Sequence, residues 1–393
     1  MIKRTIAVLA RWSFATALYV GAIWLGIFVA DQSRKDDQPF AVGLDVANRE
    51  RTIRTLDLYP WTGWHMQSGF HHKGEMAFEE QPYHDFDVST GRLGFFDVDV
   101  LNVASKSACE RRIILTGASG AQGWGARSNA DTIARRLEAH LAAASEATGV
   151  TVKVFNLAMG SSISHQNFTV LNRFGHLIEP DLIVSYSGRN DYRIPEDNKN
   201  DGYYFFNEVL ALSQVVRRSE GTGYVRWLSD MFPNLMERTA LGQSLRMLHD
   251  YNRVTIDARE EYNKRMGFHG LSAEEFRQRV VIANHMNALR SIKRDFQGIP
   301  VALVWQAVLP DELSRSRFAR GTPDFYERNF AELKKGLAGY VNDEWLFLDA
   351  HQHLKGRLEN TGTHLGNAGQ DLVARLIAES ITPWIARNQN GCS

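Results

Sequence analysis

From residue 111 onward, short apolar runs alternate with longer stretches in which apolar side chains recur every three to four positions. Ile113-Ile114-Leu115-Thr116 is the first such run, and 151–157 alternates before turning apolar. Residues 181–186 follow Pro180, and 300–305 and 345–348 complete the set. Runs of this length, rich in Ile, Val, Leu and aromatics, predict strands. Between them, 131–144 places Ile133, Ala134, Leu137 and Leu141 on one stripe. The stretches 276–296 and 325–340 have similar spacing, and 369–385 aligns Leu372, Val373, Leu376, Ile377 and Ile381. These predict helices. Strands that alternate with helices predict an α/β domain with a mainly parallel five-stranded sheet, covered on both faces.

Two regions break the rhythm. Residues 195–270 carry Tyr203-Tyr204-Phe205-Phe206 and helical patterns, and are too long for a plain connection. They predict a helical insertion, over the site, at an oligomer contact or on the surface. At the other end, Lys3, Arg4 and Arg11 precede an uncharged stretch of 19 residues, 12–30. As a helix this spans roughly 30 Å, the hydrocarbon thickness of a bilayer. Phe28-Val29-Ala30 is a poor signal-peptidase site because Phe28 is large. An uncleaved single-pass anchor is therefore expected over residues 1–35. The cationic flank places the N-terminus in the cytoplasm and the rest across the bacterial inner membrane, in the periplasm. Residues 36–110 read as a tether and an extension that packs on the main domain, 111–390. Trp61 and Trp64, within an aromatic stretch, suit packing better than sugar stacking.

Composition narrows the function. Equal numbers of basic and acidic residues, 45 of each, give no field that would recruit nucleic acid. Two cysteines, Cys109 and Cys392, exclude a disulfide scaffold and a cysteine-rich zinc site, and leave one bridge open. His65, His71, His72 and His84 do not form a convincing ligand set, since adjacent His71 and His72 point to opposite faces of a strand. No metal or cofactor is assigned.

The chemistry lies where strands end. Gly117-Ala118-Ser119-Gly120 follows the first strand and precedes a helix, a placement that suits a nucleophile as well as an ordinary glycine-rich turn. A phosphate loop is disfavoured because Gly-Lys-Ser/Thr is missing. Gly160 follows the second strand, Ser187-Gly188-Arg189-Asn190-Asp191 the third, and His364-Leu365-Gly366-Asn367-Ala368-Gly369 opens the last helix. In a parallel sheet these loops all emerge at one edge, where open α/β folds bind ligands. Taken singly, Asn190 suits a turn cap, Gly160 a tight loop and His364 a helix start. Taken together, they supply acyl-transfer chemistry. His364 can take the proton of Ser119. The N–H groups of Ser119 and Gly160 and the Asn190 amide can stabilise an oxyanion. Asp191 reads as a brace for its loop; Trp124 suits packing beneath the loop slightly better than lining a substrate pocket.

On these residues the chain resembles the SGNH (GDSL-type) hydrolase superfamily, whose four name-giving residues match Ser119, Gly160, Asn190 and His364 in order. The Gly188-x-Asn190-Asp191 and His364-Leu-Gly-x-x-Gly369 motifs are the more specific. The stretch 89–96 before the serine loop resembles membrane-tethered members found with bacterial polysaccharide genes. The resemblance implies a three-layer flavodoxin-like fold and cofactor-free ester hydrolysis or acyl transfer. An acylated envelope glycan, with acetyl among the acyl groups considered, is then the expected partner. The family usually has Asp three residues before its histidine; here that position is Thr361. A carbonyl oxygen, Asp191, Asp349 or the Thr361 hydroxyl itself could stand in. A Ser–His dyad and a catalytically silent glycan-binding or assembly subunit are the two readings this leaves.

Overall fold

In the computed structural model, the residues described are 56–59, 63–66, 68–78, 81–145, 149–160, 162–191, 273–308, 325–337, 345–354 and 364–387. The expected anchor, the insertion at 195–270, Thr361 and Cys392 lie outside them. Among the described residues, no helix is long and apolar enough to cross a membrane.

Among the described residues, four strands precede the main sheet. β1 (Leu56–Tyr59) pairs antiparallel with β2 (Gly63–Met66), and β3 (His71–Phe78) with β4 (Gln81–Ser89). The predicted βα rhythm follows. β5 (Glu110–Gly117) leads into a single helical turn, α1 (Ser119–Gln122), and then α2 (Ile133–Ser145). β6 (Thr151–Asn156) leads to α3 (Ser164–Phe174), and β7 (Leu182–Ser187) follows. Ala273–Phe276 passes through π-helical turns, Arg277–Ile282, into α4 (Ala283–Asp295). β8 (Val301–Trp305), α5 (Phe325–Leu337), β9 (Trp345–Asp349), α6 (Ala350–Leu354) and α7 (Asn367–Arg387) complete the order.

β5 to β9 form one parallel sheet in the order β6-β5-β7-β8-β9. Taken alone, these five strands have the flavodoxin-like order, in which the chain reverses direction beside its first strand. Side-chain alternation divides the core in two. Ile113, Leu115, Val184 and Val304 face α2 and α7, where Leu137, Leu141, Val373 and Ile377 are buried. Ile114, Ile183, Leu303 and Trp305 face the other way, onto Leu171, Leu289 and Leu333 of α3, α4 and α5. Both faces are therefore covered, as the near-continuous apolar strands require. Replacing a fully buried residue such as Leu137 with Ala costs about 2–5 kcal/mol.

The hairpin of β3 and β4 is fixed to the loop after the serine turn. Asp87 N–H donates to the Arg127 carbonyl at 2.7 Å, and Asn129 Nδ2 to the Ser89 carbonyl at 2.9 Å. Met66, Val88 and Phe96 form a small core with Phe70 and Trp124. Cys109, just before β5, is disulfide-bonded.

Candidate active site

Gly117 ends β5 with φ +153°, and a Cβ there would lie 2.2 Å from the Tyr186 carbonyl oxygen. Only glycine lets the strand turn this close to β7. Ala118 is still extended, and Ser119 opens α1. The turn closes on itself: the N–H groups of Gly123 and Trp124 donate to the Ser119 carbonyl at 3.1 and 3.0 Å. Ser119 is thus held, half-buried, at the C-terminal edge of the sheet.

His364 stands 245 residues away in sequence, yet its Nε2 lies 2.9 Å from Ser119 Oγ. In the neutral tautomer protonated at Nδ1, the serine hydroxyl donates to Nε2, the geometry of a nucleophile and its base. A residue that the sequence motifs did not reveal aligns the two loops. Gln370, fully buried in α7, donates from Nε2 to the carbonyls of Leu365 (3.0 Å) and Trp124 (3.3 Å). Its Oε1 accepts from the N–H of Ile133 at 3.1 Å. A second link runs from Arg127 N–H to Asn367 Oδ1 at 3.0 Å. The Trp124 ring lies 6.3 Å from the His364 ring, centre to centre, and packs on the hairpin core as well. The only advance signal for Gln370 was its place on the buried side of the last helix.

The second strand's loop is tied to the same turn. Met159 N–H donates to the Gly117 carbonyl at 3.0 Å, Ser162 Oγ donates to it at 3.1 Å, and Asn156 Nδ2 donates to the Gln122 carbonyl at 3.0 Å. Gly160 sits against Gln122 and Trp124, which a Cβ there would meet at 3.1 and 3.4 Å. Asn190, after β7, is buried and donates from Nδ2 to the Ser162 carbonyl at 3.0 Å. A carboxamide nitrogen carries two hydrogens, so one such bond leaves a second donor. Ser162 therefore links the Asn190 loop to the Gly117 turn.

Asp191, expected to brace its own loop, reaches a different element. Its two carboxylate oxygens accept from Ser164 N–H and Ser164 Oγ, each at 3.0 Å, at the start of α3. Carboxylate acceptors at a helix N-terminus satisfy orphan N–H groups and favour the dipole. His285 Nδ1 lies 3.8 Å from Asp191 Oδ2, and its Nε2 lies 3.3 Å from Ser187 Oγ. Burial pushes the His285 pKa down, and the Asp191 charge opposes this only in part. Asp349 also has a local task, accepting from Gln352 N–H at 3.0 Å at the head of α6. Both candidate stand-in carboxylates, Asp191 and Asp349, thus have identified structural partners, and Thr361 is outside the described residues.

Among the described residues, no group of three or more His, Cys, Asp or Glu side chains is arranged to hold a metal ion. What the edge offers is a hydroxyl, an imidazole in contact with it, and amide donors on two neighbouring loops.

No protein-family model matches this chain, nor does any curated protein. Solved structures do. A salicylyl-acyltransferase from a tetracycline biosynthetic pathway is 14% identical, with a TM-score of 0.38 over 77% of this chain and 63% of that one. A family 3 carbohydrate esterase from Clostridium thermocellum is 10% identical, with a TM-score of 0.38 over 71% of this chain and 98% of that one. This chain is also similar to a lipase/acylhydrolase from Enterococcus faecalis, with 13% identity and a TM-score of 0.40 over 70% of this chain and 96% of that one.

Proposed function

We propose that this chain is a membrane-anchored serine esterase or O-acyltransferase of SGNH type, acting on acyl esters of a cell-envelope or exported polysaccharide. The observation that carries the catalytic part is the contact between Ser119 Oγ and His364 Nε2, 2.9 Å, at the C-terminal edge of the parallel sheet. The Ser119 hydroxyl gives its proton to Nε2 as Oγ bonds to the ester carbonyl carbon. The carbonyl oxygen becomes an oxyanion, for which Ser119 N–H, Gly160 N–H and the Asn190 amide are the donors. Collapse breaks the ester C–O bond, and the imidazolium returns the proton to the departing alkoxide. Water then releases the acid, or a sugar hydroxyl takes the acyl group, by the same steps in reverse.

Location and substrate are supported separately. The uncharged stretch 12–30 behind Lys3, Arg4 and Arg11 supports an anchor with the domain outside the cytoplasm. The disulfide at Cys109 agrees with an oxidising compartment such as the periplasm. The glycan substrate follows from that location and from the sequence resemblance.

The test is labelling of the full-length protein in membranes by a fluorophosphonate probe, beside turnover of p-nitrophenyl acetate. Both should occur and both should vanish in Ser119→Ala. Turnover that survives this change places the nucleophile elsewhere. One observation favours the second reading, a silent glycan-binding subunit: Thr361 replaces the usual Asp, while Asp191 and Asp349 are engaged by Ser164 and Gln352. Under the catalytic reading, Thr361→Asp supplies the carboxylate that orients an imidazole and stabilises its cation, so kcat and the apparent basic-group pKa should both rise. An inert parent and an inert Thr361→Asp variant that still bind glycan would favour the silent subunit.

A further inference from the structure

Gln306 follows β8, at the same sheet edge as the serine and asparagine loops. Its backbone is firmly fixed: its N–H donates to the Ser187 carbonyl at 3.0 Å and its carbonyl accepts from Tyr326 Oη at 2.9 Å. The next residue, Ala307, donates its N–H to Tyr186 Oη at 3.2 Å. The side chain is held differently. It is 6% exposed, yet its carboxamide makes no hydrogen bond to any described residue, and the exposure it retains includes the amide atoms. Nε2 rests against Gly120, the residue directly after the nucleophile, 2.9 Å from where a Cβ on Gly120 would stand. Any larger residue at 120 would displace the amide. Glycine there keeps open the space that a polar, largely buried and unpartnered group occupies beside Ser119.

A carboxamide that bonds nothing within the fold while its amide atoms keep contact with solvent is hydrated in the free protein, and can exchange that water for a polar group of a substrate. We propose that Gln306 is a substrate-binding residue, whose carboxamide pairs with a hydroxyl next to the scissile ester and so selects esters of sugars over those of plain alcohols. A carboxamide donates from nitrogen and accepts at oxygen, and a sugar hydroxyl does both in return. The ester of a plain alkyl or aryl alcohol has no neighbouring hydroxyl, and leaves the amide desolvated and unpaired. The proposal rests on the reading of Ser119 as the nucleophile and adds the identity of the alcohol side of the substrate.

The test compares Gln306→Leu and Gln306→Glu with the parent, using the full chain. Two acetates are compared: a methyl pyranoside carrying one acetyl group beside free hydroxyls, and p-nitrophenyl acetate. In Gln306→Leu the ratio of kcat/KM for the sugar acetate to that for the aryl acetate should fall roughly 10–100-fold, the usual scale for removing one buried polar contact to substrate. Gln306→Glu, which keeps an acceptor but loses the donor, should fall between. The melting temperature of Gln306→Leu should stay near the parent's, because the amide makes no bond within the fold; a residue that merely supports the fold would lower it. An unchanged ratio, or a fall in melting temperature with equal loss on both substrates, overturns the proposal. A second arm does not depend on turnover. In a Ser119→Ala background, the acetylated pyranoside should bind at least several-fold more weakly once Gln306 is Leu. If fluorophosphonate fails to label the parent but this binding difference persists, the nucleophile reading fails and Gln306 still binds sugar. If labelling occurs and neither ratio nor binding changes, Gln306 alone is misassigned.

Discussion

At the end of the sheet where the strands begin, Arg112 is 1% exposed and its hydrogen bonds go to charged and carbonyl groups. Its guanidinium meets Glu110 Oε1 at 2.5 Å and the carbonyls of Ile178 and Ala104 at 3.0 and 2.6 Å. Lys153 reaches the other Glu110 oxygen at 3.1 Å, and Lys106 joins Asp181 at 2.8 Å, which also accepts from Arg112 N–H at 2.7 Å. At the end where the strands finish, most of the groups are neutral: amides of Asn190, Gln370 and Gln306, hydroxyls of Ser162 and Ser164, and backbone N–H groups, with Arg189 against Asn190 and Asp191 against Ser164 as charged exceptions. The difference follows from what each end must do. Fixed charges that neutralise one another can align strands without further consequence. At the other end, a charge forms during the reaction, and neutral dipoles oriented beforehand stabilise it without competing counter-ions. If this division is right, the two ends should fail in different ways.

The largest effect belongs to the reactive end. Ser119→Ala should lower ester turnover by roughly 10⁴–10⁶-fold, the range seen when a serine nucleophile is removed. Its melting temperature should stay near the parent's, since a half-buried hydroxyl at a loop contributes little packing. Steady-state kinetics beside a thermal melt checks both. Arg112→Ala should do the opposite. It leaves Glu110 buried beside an empty space and should cost about 3–5 kcal/mol of stability, the usual result of breaking a buried pair from one side. Urea unfolding reads that loss, while kcat per folded molecule should hold. Loss of kcat in the folded fraction would mean that the far edge also shapes the site.

Asn190→Ala sharpens the comparison within the reactive end. Its amide is one oxyanion donor, so kcat should fall roughly 10²–10³-fold while KM moves much less. A change confined to KM would make Asn190 a ground-state contact. Because Asn190 also donates to the Ser162 carbonyl, its loss should soften the loop slightly, which hydrogen exchange at 157–162 would register.

The sequence made the reactive end legible because chemistry there is tied to topology. Once five apolar runs were read as parallel strands, the loops carrying Ser119, Gly160 and Asn190 had to emerge together, and the helix that follows His364 had only to pack beside α2. Other parts left weaker signals. β3 and β4 contain His, Lys, Glu and Gln at many positions, so no clean alternation marks them, and their pairing rests on backbone bonds that composition does not reveal. α3 was hidden because its first turn, Ser164-His165-Gln166-Asn167, is polar; two of its anchors are Asp191, from the next strand's loop, and Gln166, whose Oε1 accepts from Ile163 N–H at 3.0 Å. The predicted helix over 276–296 is interrupted by the π-helical turns Arg277–Ile282, an irregularity that apolar spacing does not encode. Gln306 and Gln370 look like ordinary polar residues beside apolar runs. Their significance depends on which carbonyl or glycine lies opposite, and that is a property of the folded chain.

The smallest expected effect concerns a titratable pair buried under the reactive end, His285 and Asp191. His285 is fully buried, its ring stacked near Trp305 at 6.2 Å between centres, with Ser187 Oγ at 3.3 Å and Asp191 Oδ2 at 3.8 Å. Burial dominates and depresses its pKa below 6.5, against the pull of Asp191. The native state therefore holds His285 neutral at a pH where the unfolded chain already binds the proton. Stability rises with pH wherever the unfolded state binds more protons. The contribution of His285 is thus complete above about pH 6.5 and is lost as pH falls from there toward the folded pKa. Glu110 acts in a separate, lower window. Burial raises its pKa, but hydrogen bonds and charge from Arg112 and Lys153 outweigh that and hold it below 4.5, so its share is lost only as pH falls below that value. Thermal melts from pH 7.5 down to 5.5 should fall less steeply in His285→Gln than in the parent, because glutamine cannot take up the proton. A slope remains in the variant, since burial also depresses the pKa of His165. Arg112→Ala should leave this neutral-pH slope unchanged and alter only the acid limb. If the two variants change the same limb, the ends of the sheet are electrostatically one unit, and the division drawn from their composition fails.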